Sequence, residues 1–159
     1  MPDAVTADPI RVRTAREDDI AAIVAMFPAA EGFDDAYWRG RLRACTEEPD
    51  KRFFLAAEHD GRCVGAILGE VRALEFRSRP SGNLFATVTS PESREAGIGS
   101  VLFEALCDRF TAAGVDVVRA MVRKDEALDM AFLRSQGMTA GPFVQMQMRL
   151  PRHGMRESE

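Results

Sequence analysis

The stretch T-S-P-E-S-R-E-A-G-I-G-S-V-L-F-E-A-L, residues Thr89 to Leu106, decides how this chain is organised. Its pattern is that of a strand end, a turn opened by Pro91, a glycine-containing loop and the first turns of an amphipathic helix. The first turn of a helix leaves backbone N–H groups unpaired and carries about half a positive charge from the aligned peptide dipoles. Gly97 and Gly99 let a ligand approach that backbone without a Cβ in the way, and Arg94 adds a permanent positive charge. The stretch therefore predicts a binding site for a phosphate or pyrophosphate group.

The spacing of Pro91, Arg94, Gly97 and Gly99 resembles the pyrophosphate loop of the GNAT superfamily of N-acetyltransferases, whose signature is R/Q-x-x-G-x-G/A. The resemblance implies acetyl-CoA as cosubstrate and an acyl arm that lies where the strand before the loop splays from the strand after the helix. It also implies that main-chain N–H groups at the end of the preceding strand polarise the thioester carbonyl. The residues that it assigns to cosubstrate binding are Val88, Thr89, Arg94, Glu95, Ala96, Gly97, Ile98, Gly99 and Ser100.

Two other interpretations of the same glycines compete with an acetyl-CoA site. A dinucleotide-binding loop needs a third small residue where Leu102 stands, and an acidic residue after the next strand, which V-V-R-A-M-V-R (117–123) lacks. Alternatively, Gly97 and Gly99 only permit a tight turn between a strand and a helix. The agreement of Arg94 with the order of the surrounding elements favours the anion site.

The periodicity of the rest of the chain predicts strands and helices on both sides of this motif. We expect one α/β domain over residues 10–150, between a flexible leader over 1–9 and a polar tail over 151–159. Its order is β-α-α-β-β-β-α-β-α-β, a GNAT-like mixed central sheet of about six or seven strands flanked by about four helices. The predicted strands are Ile10–Arg13, Arg52–Glu58, Cys63–Phe76, Leu84–Thr89, Val115–Val122 and Phe143–Leu150. The first predicted helix is opened by a Thr14–Glu17 capping box and stopped by Pro28, and the second is Asp34–Thr46. The motif helix is the third, and the fourth is Glu126–Gln136, with Leu128, Ala131 and Phe132 facing inward.

Composition indicates a cytoplasmic protein without a metal. The net charge of -4 gives no reason to expect nucleic acid or an anionic membrane as a partner. No apolar run approaches the ~20 residues that span a bilayer. The three cysteines stand at wide spacing, which fits neither a disulfide framework nor a zinc site, and two histidines do not make a multi-histidine site.

Glu70 is the candidate general base because a carboxylate inside the apolar run A-I-L-G-E-V is costly unless it is paired or functional. The alternatives are an exposed strand end or an ion pair with Arg72 or Arg119. Many GNAT members have a tyrosine beside the CoA sulfur, but Leu133 occupies the matching position here. Water or another side chain could then protonate the leaving thiolate, Tyr37 could do so, or the protein could bind acetyl-CoA without turning it over.

The acceptor expected from the resemblance is a primary amine on a small molecule or a peptide, and its identity is left open. The first two helices and the middle loop hold Phe33, Tyr37, Trp38, Arg77 and Arg79, which could line an acceptor pocket or serve in packing and in a solvated loop. The alternative function is a non-catalytic acyl-CoA-binding or regulatory domain on the same fold. The methionines on the exposed face of the last strand are compatible with a homodimer.

Overall fold

A computed structural model describes residues 8–27, 32–74, 76 and 78–151, so Pro28, Arg77 and most of the leader and tail lie outside the described residues. The described residues fold around one sheet with helices on both faces. The strands are β1 (Arg11–Thr14), β2 (Arg52–His59), β3 (Arg62–Arg72), β4 (Ser81–Thr89) and β5 (Val118–Ala120). The helices are α1 (Ile20–Met26), α2 (Asp35–Glu47), α3 (Ile98–Ala112) and α4 (Ala127–Ser135), with short 3-10 helices at Glu17–Asp19 and Pro91–Ala96.

The sheet has the order β1-β2-β3-β4-β5, with β1 to β4 antiparallel and β5 parallel to β4. The predicted mixed α/β architecture is confirmed, with five strands in the described part where six or seven were expected. The β2–β3 hairpin turns at Asp60 and Gly61, whose φ angles of 50° and 72° are the left-handed values that an Asp-Gly pair adopts readily. Asp34 caps α2 by accepting a hydrogen bond from the Tyr37 N–H at 3.1 Å.

The core has two halves, one on each face of the sheet. Successive side chains of β2 point to opposite faces, so Phe53 packs under α3 and Phe54 packs under α1 and α2. The α3 face also buries Leu133 of α4, and the other face buries Trp38 of α2. Because β2 and β3 are covered on both sides, their sequences are nearly continuous apolar runs.

Several predictions about strands are wrong. The segment Phe143–Leu150 forms no strand ladder, because its alternation supplies one apolar face and no partner strand lies beside it in the described part of the chain. The strand predicted at Val115–Val122 pairs only over Val118–Ala120, and β3 ends at Arg72 rather than at Phe76.

Two predictions about helices are also corrected. Thr14 belongs to β1, and the turn before α1 is instead fixed by Asp19, whose carboxylate accepts the Arg16 N–H at 2.7 Å. Leu128 and Ala131 were expected to face inward, but Leu128 is 80% exposed and Ala131 is exposed too, because α4 turns Leu133 and Phe132 toward the core.

Asp19 is a buried carboxylate held by an ion-pair network at the start of α1. It accepts hydrogen bonds from Arg13 Nη1 at 2.7 Å and Nη2 at 2.9 Å, and Arg13 Nε reaches Glu58 at 2.9 Å. Burial by itself raises the pKa of Asp19, but the guanidinium of Arg13 and the backbone N–H of Arg16 together hold that pKa below its ordinary value. The network ties β1, β2 and α1 together.

We expect Asp19→Asn to lower the free energy of unfolding by about 3 kcal/mol at pH 7, because it leaves Arg13 without its main partner. A carboxylate with a lowered pKa stabilises the fold above its unfolded pKa of about 4, and this contribution is lost as the pH falls through the folded pKa. The variant should therefore lose less stability than the wild type on acidification below about pH 4. Urea denaturation at a series of pH values measures both effects. Asp18→Asn, at an exposed neighbour, is the control, and equal acid sensitivity of Asp19→Asn and the wild type would contradict the assignment.

Candidate active site

The loop between β4 and α3 is built from two local conformations that the sequence dictates. After β4 ends at Thr89, Pro91 opens the 3-10 helix, because its fixed φ suits the first helical position. Gly97 then takes a left-handed φ of 71°, which turns the chain into α3 at Ile98. Ile98 is 1% exposed and anchors the loop on β3, where Gly65 leaves room for it: a Cβ on Gly65 would lie 2.9 Å from Ile98 Cγ2.

The first turn of α3 has no cap. Its first intrahelical hydrogen bond is donated by Val101 N to Gly97 O at 3.1 Å, and no side chain that the structure describes accepts from the turn. The helix itself therefore leaves the N–H groups of Ile98, Gly99 and Ser100 without a partner. Ser100 is exposed and Gly99 is half-buried, whereas Ile98 is buried, so the accessible donors of the turn are those of Gly99 and Ser100, beside the exposed Gly97. The turn is suited to accept an anion from solvent.

The two glycines of the motif have different surroundings. A Cβ at Gly97 would meet nothing within 4 Å, whereas a Cβ at Gly99 would lie 3.0 Å from Phe132 Cε2 of α4. The same turn is tied to α4 by the Gln136 side chain, which donates to Ser100 Oγ at 2.8 Å. Gly99 thus lets α4 approach α3, and Gly97 keeps the backbone open.

Arg94, Glu95 and Ala96 form the second half of the 3-10 helix that precedes Gly97. The side chains of Arg94 and Glu95 lie outside the described part of the structure, so their predicted effects on an anion remain predictions. Ala96 is exposed. All three backbones lie between the end of β4 and the uncapped turn.

Directly before the loop, β4 has no strand partner on its β5 side among the described residues, and we call this unpaired side the β4–β5 gap. The two strands pair only between Gly82–Leu84 and Val118–Ala120, while β4 continues to Thr89. The register of β4 against β3 shifts between Leu68 and Gly69, which leaves Phe85 as a bulge at the point where the pairing with β5 ends. An unpaired end of β4 is what the splay implied by the resemblance requires.

The bulge determines which backbone groups face this gap. Ser90 donates its N–H to Val64 O on β3 at 2.8 Å. Because backbone groups alternate sides along a strand, Val88 also faces β3, and Thr87 and Thr89 direct their N–H groups away from β3 into the gap. Thr89 was predicted from the sequence, but Thr87 was missed, since no local pattern reveals the bulge.

Glu70 lies on β3 opposite Asn83 and is 5% exposed. Its carboxylate is paired with Arg72 and lies 3.7 Å from Arg52 Nε, so one alternative that the sequence left open, the ion pair with Arg72, is observed. Asn83 precedes Thr87 by four residues, which corresponds to ~13 Å along the strand. Glu70 is therefore not in direct contact with the backbone groups that face the gap.

Tyr37 lies on the same face of the sheet as Glu70. Its hydroxyl accepts a hydrogen bond from Arg41 Nε at 3.1 Å, and Arg41 lines a small cavity together with Glu70 and Phe85. No contact among the described residues joins Tyr37 to the loop. Trp38, in contrast, is 2% exposed and belongs to the core, while Phe33 packs edge-on against Tyr37 with ring centroids 4.8 Å apart. The structure thus gathers Phe33, Tyr37 and Glu70 on the face opposite α3.

Burial excludes Leu133 and the three cysteines as reactive side chains. Leu133 is enclosed in the core under α3, where it supplies no proton. Burial raises the pKa of the Cys45 thiol to about 11 and also raises the pKa values of Cys63 and Cys107, so none of the three is an activated nucleophile.

In the described part of the chain no cluster of His, Cys, Asp and Glu could hold a metal ion, and no helix there is long and apolar enough to cross a membrane.

A groove of about 710 Å³ lies at the opposite end of α3 from the loop. Arg79 contributes to its lining, together with Lys51, Arg109 and Asp116. The 15 residues of α3 separate it from the loop by ~22 Å. The structure therefore does not bring Arg79 to the loop, and Arg77 lies outside the described residues.

Comparison with known proteins agrees with this geometry. The family model described as acetyltransferase (GNAT) family matches residues 17–138. An aminoglycoside 6'-N-acetyltransferase from Acinetobacter baumannii superposes with a TM-score of 0.73 at 14% identity, covering 90% of this chain and 100% of that one. Glucosamine-6-phosphate N-acetyltransferase from Arabidopsis thaliana gives 0.67 at 16% identity, covering 91% and 100%. AAC(6')-Iy in complex with the bisubstrate analog CoA-S-monomethyl-acetylneamine gives 0.71 at 16% identity, again covering 91% and 100%.

At these identities the structural neighbours show the fold alone. No curated protein sequence matches the chain. The family model covers more than half of the 159 residues, including the loop, β4 and α3.

Proposed function

This chain belongs to the acetyltransferase (GNAT) family, and on that premise we propose that it moves the acetyl group of acetyl-CoA to a primary amine by direct attack. The acceptor is an amine on a small molecule or a peptide. The observation that carries the proposal is the uncapped first turn of α3 opening onto the β4–β5 gap. Three free cysteines support a reducing compartment such as the cytoplasm.

The residues present fit acetyl-CoA as cosubstrate. The backbone from Arg94 to Ser100 would hold the pyrophosphate, since Gly97 leaves it open and the first turn of α3 offers N–H donors. The N–H groups of Thr87 and Thr89 face the gap, where they would polarise the thioester carbonyl. The thioester supplies an activated acetyl group. Main-chain donors perform both tasks, so the side chains at these positions are free to vary.

Acetyl transfer requires two proton movements. The amine nitrogen bonds to the acetyl carbon while the carbon–sulfur bond breaks, so the nitrogen loses a proton and the CoA thiolate gains one. Glu70 would accept the amine proton through water, given its distance from Thr87. Water can protonate the thiolate, because a thiol pKa of about 8.5 makes the thiolate a good leaving group without an acid at Leu133. Tyr37 is the other donor on this face.

Acetyl-CoA binding followed by turnover tests the function. Calorimetry should show binding of acetyl-CoA, and release of the CoA thiol should be followed across a panel of amines. Aminoglycosides and glucosamine 6-phosphate, the acceptors named for structural neighbours, belong in that panel with polyamines, amino acids and peptides. Absence of binding at millimolar acetyl-CoA would overturn the proposal.

We expect Glu70→Gln to lower kcat about 100-fold with the dissociation constant of acetyl-CoA unchanged, because a general base contributes ~10²–10⁴ in rate. Glu48→Gln is the matched control, since Glu48 binds the same Arg52 guanidinium at 2.7 Å from the surface. Thiol release measures turnover, and a thermal melt verifies that both variants are folded. If the Glu70 and Glu48 variants turn over at equal rates, Glu70 acts only as an ion-pair partner.

The second candidate function is binding of acyl-CoA without turnover. The burial of Leu133 favours it, because the position where many family members have a tyrosine has no proton to donate. Undiminished binding with no thiol release from any amine of the panel would support this candidate over the enzyme.

A further inference from the structure

Arg41 is a half-buried arginine of α2 that has no carboxylate partner among the described residues. Its Nε donates to the Tyr37 hydroxyl at 3.1 Å, and its Cζ lies 5.2 Å from the centre of the Tyr37 ring. Its two Nη atoms have no acceptor in the part of the chain that the structure describes. A guanidinium presents its donors as a planar fork that matches the oxygens of a carboxylate or a phosphate. The Nη side of Arg41 is therefore available to an anion.

The charges around Arg41 do not cancel. Arg41 lines a small cavity together with Arg52 and Glu70. Glu70 is paired with Arg72 and lies 3.7 Å from Arg52 Nε, and Glu48 lies 2.7 Å from the same Nε. Arg52 and Arg72 thus balance the two carboxylates, and the charge of Arg41 is uncompensated. An excess of positive charge attracts an anionic ligand and repels a polycation.

This uncompensated charge lies on the face of the sheet opposite α3, close to the β4–β5 gap. Phe85 of β4 lines the same cavity as Arg41 and precedes Thr87, whose N–H faces the gap, by two residues or ~7 Å of strand. Phe85 and Phe33 are each 47% exposed, and Phe33 packs against Tyr37. A small molecule is long enough to have one end at Arg41 and the other at the gap.

We propose that the acceptor of the acetyl group is a primary amine that also carries a carboxylate or a phosphate, and that Arg41 binds this anionic group. The inference rests on the proposed acetyl transfer and names the acceptor class for it. Arg41 determines specificity: it holds the anion while the amine attacks the thioester, and it transfers no proton. Polycations such as aminoglycosides and polyamines are poor acceptors on this account.

Pairs of acceptors that differ only in the anionic group test the inference. Glucosamine 6-phosphate is compared with glucosamine for the phosphate, and β-alanine with β-alaninamide for the carboxylate. In at least one pair, kcat/KM of the wild type should be roughly 10- to 100-fold higher for the anionic member, the value of charge-assisted hydrogen bonds. Wild-type preference for the neutral member in both pairs, or for a polyamine over all four, would overturn the inference.

Variants at two positions of α2 assign the preference to Arg41. Arg41→Gln should reduce the ratio of the two kcat/KM values at least 10-fold, through a higher KM for the anionic member. Arg41→Lys should keep part of the ratio, because an ammonium supplies the charge without the fork. Arg43→Gln removes the same charge from an exposed position and should keep the whole ratio. A ratio that Arg41→Gln leaves unchanged would overturn the inference.

Equilibrium binding separates the failure of this inference from the failure of the proposed function. With CoA at saturation, calorimetry should give a lower dissociation constant for the anionic member of a pair, and Arg41→Gln should remove the difference. That result without thiol release from any amine would support the anion site and contradict acetyl transfer. Turnover of both members with equal kcat/KM and equal dissociation constants would support acetyl transfer and overturn the anion site. Absence of binding for every member of the two pairs would overturn it as well.

Discussion

Gly97→Asp should abolish detectable binding of acetyl-CoA while leaving the free protein close to its original stability. Gly97 is the N-cap of α3, with a φ of 71° and nothing within 4 Å of a built Cβ. Aspartate tolerates the left-handed conformation better than most residues. Its carboxylate would place a negative charge beside the donors that the proposal assigns to the pyrophosphate and would repel that group. The dissociation constant should rise at least 100-fold, or about 2.7 kcal/mol.

Gly114→Asp is the matched control for that variant. Gly114 follows the other end of α3, has a φ of 81° and is equally free of neighbours within 4 Å. The backbone strain and the added charge are the same, but the position lies ~22 Å from the loop. Saturating acetyl-CoA should raise the melting temperature of the wild type and of Gly114→Asp by ~5–10 °C and leave Gly97→Asp unshifted. Equal shifts in the two variants would show that the first turn of α3 does not bind the anion.

Features set by local physics could be predicted from the sequence. The Asp60-Gly61 turn, the Asp34 cap and the Gly97 bend each depend on the conformational preference of one or two residues, which the sequence contains. The helix that follows the motif is also local, because its apolar face repeats at the helical period. The position of the uncapped turn therefore follows from the residues around it, without any contact distant in sequence.

Features set by contacts distant in sequence could not be predicted. The bulge at Phe85 arises from the pairing of β4 with β3, and it directs Thr87 rather than Val88 into the gap. The two glycines of the motif likewise look equivalent in the sequence. In the structure only Gly99 lies against Phe132, so the two glycines have different surroundings.

The pairing of the last predicted strand and the partners of Glu70 also depend on contacts distant in sequence. Alternation in Phe143–Leu150 predicts a strand, but no ladder forms among the described residues, because pairing depends on which edge is available. For Glu70, burial within an apolar run had two readings, and only the positions of Arg52 and Arg72 show that it is paired. Local patterns give the conformation of a segment, and they do not give its neighbour.

Gly82→Ala should lower the melting temperature by about 5 °C or more, although it adds a single methyl group. Gly82 lies on β4 beneath α3, and a Cβ there would lie 2.6 Å from Phe110 Cε2. The ring has no room to move: it is 1% exposed, it packs edge-on against Phe53, and its Cζ would lie 2.9 Å from a Cβ at Gly69. Overpacking of this kind costs ~1–3 kcal/mol, at ~2–4 °C for each kcal/mol in a chain of this length. A calorimetric melt measures the change.

A double-mutant cycle separates this clash from a general sensitivity of the strand. Phe110→Leu alone should destabilise by leaving a cavity, but in the Gly82→Ala background the smaller side chain makes room for the new methyl group. We therefore expect the double variant to be more stable than the sum of the single effects by ~1–2 kcal/mol. Gly40→Ala, at an exposed site within α2 with nothing within 4 Å, should instead raise stability by up to ~1 kcal/mol. Additive effects at positions 82 and 110 would mean that Gly82 is required for the backbone of β4 rather than for seating Phe110, and that α3 is held over the sheet by other contacts.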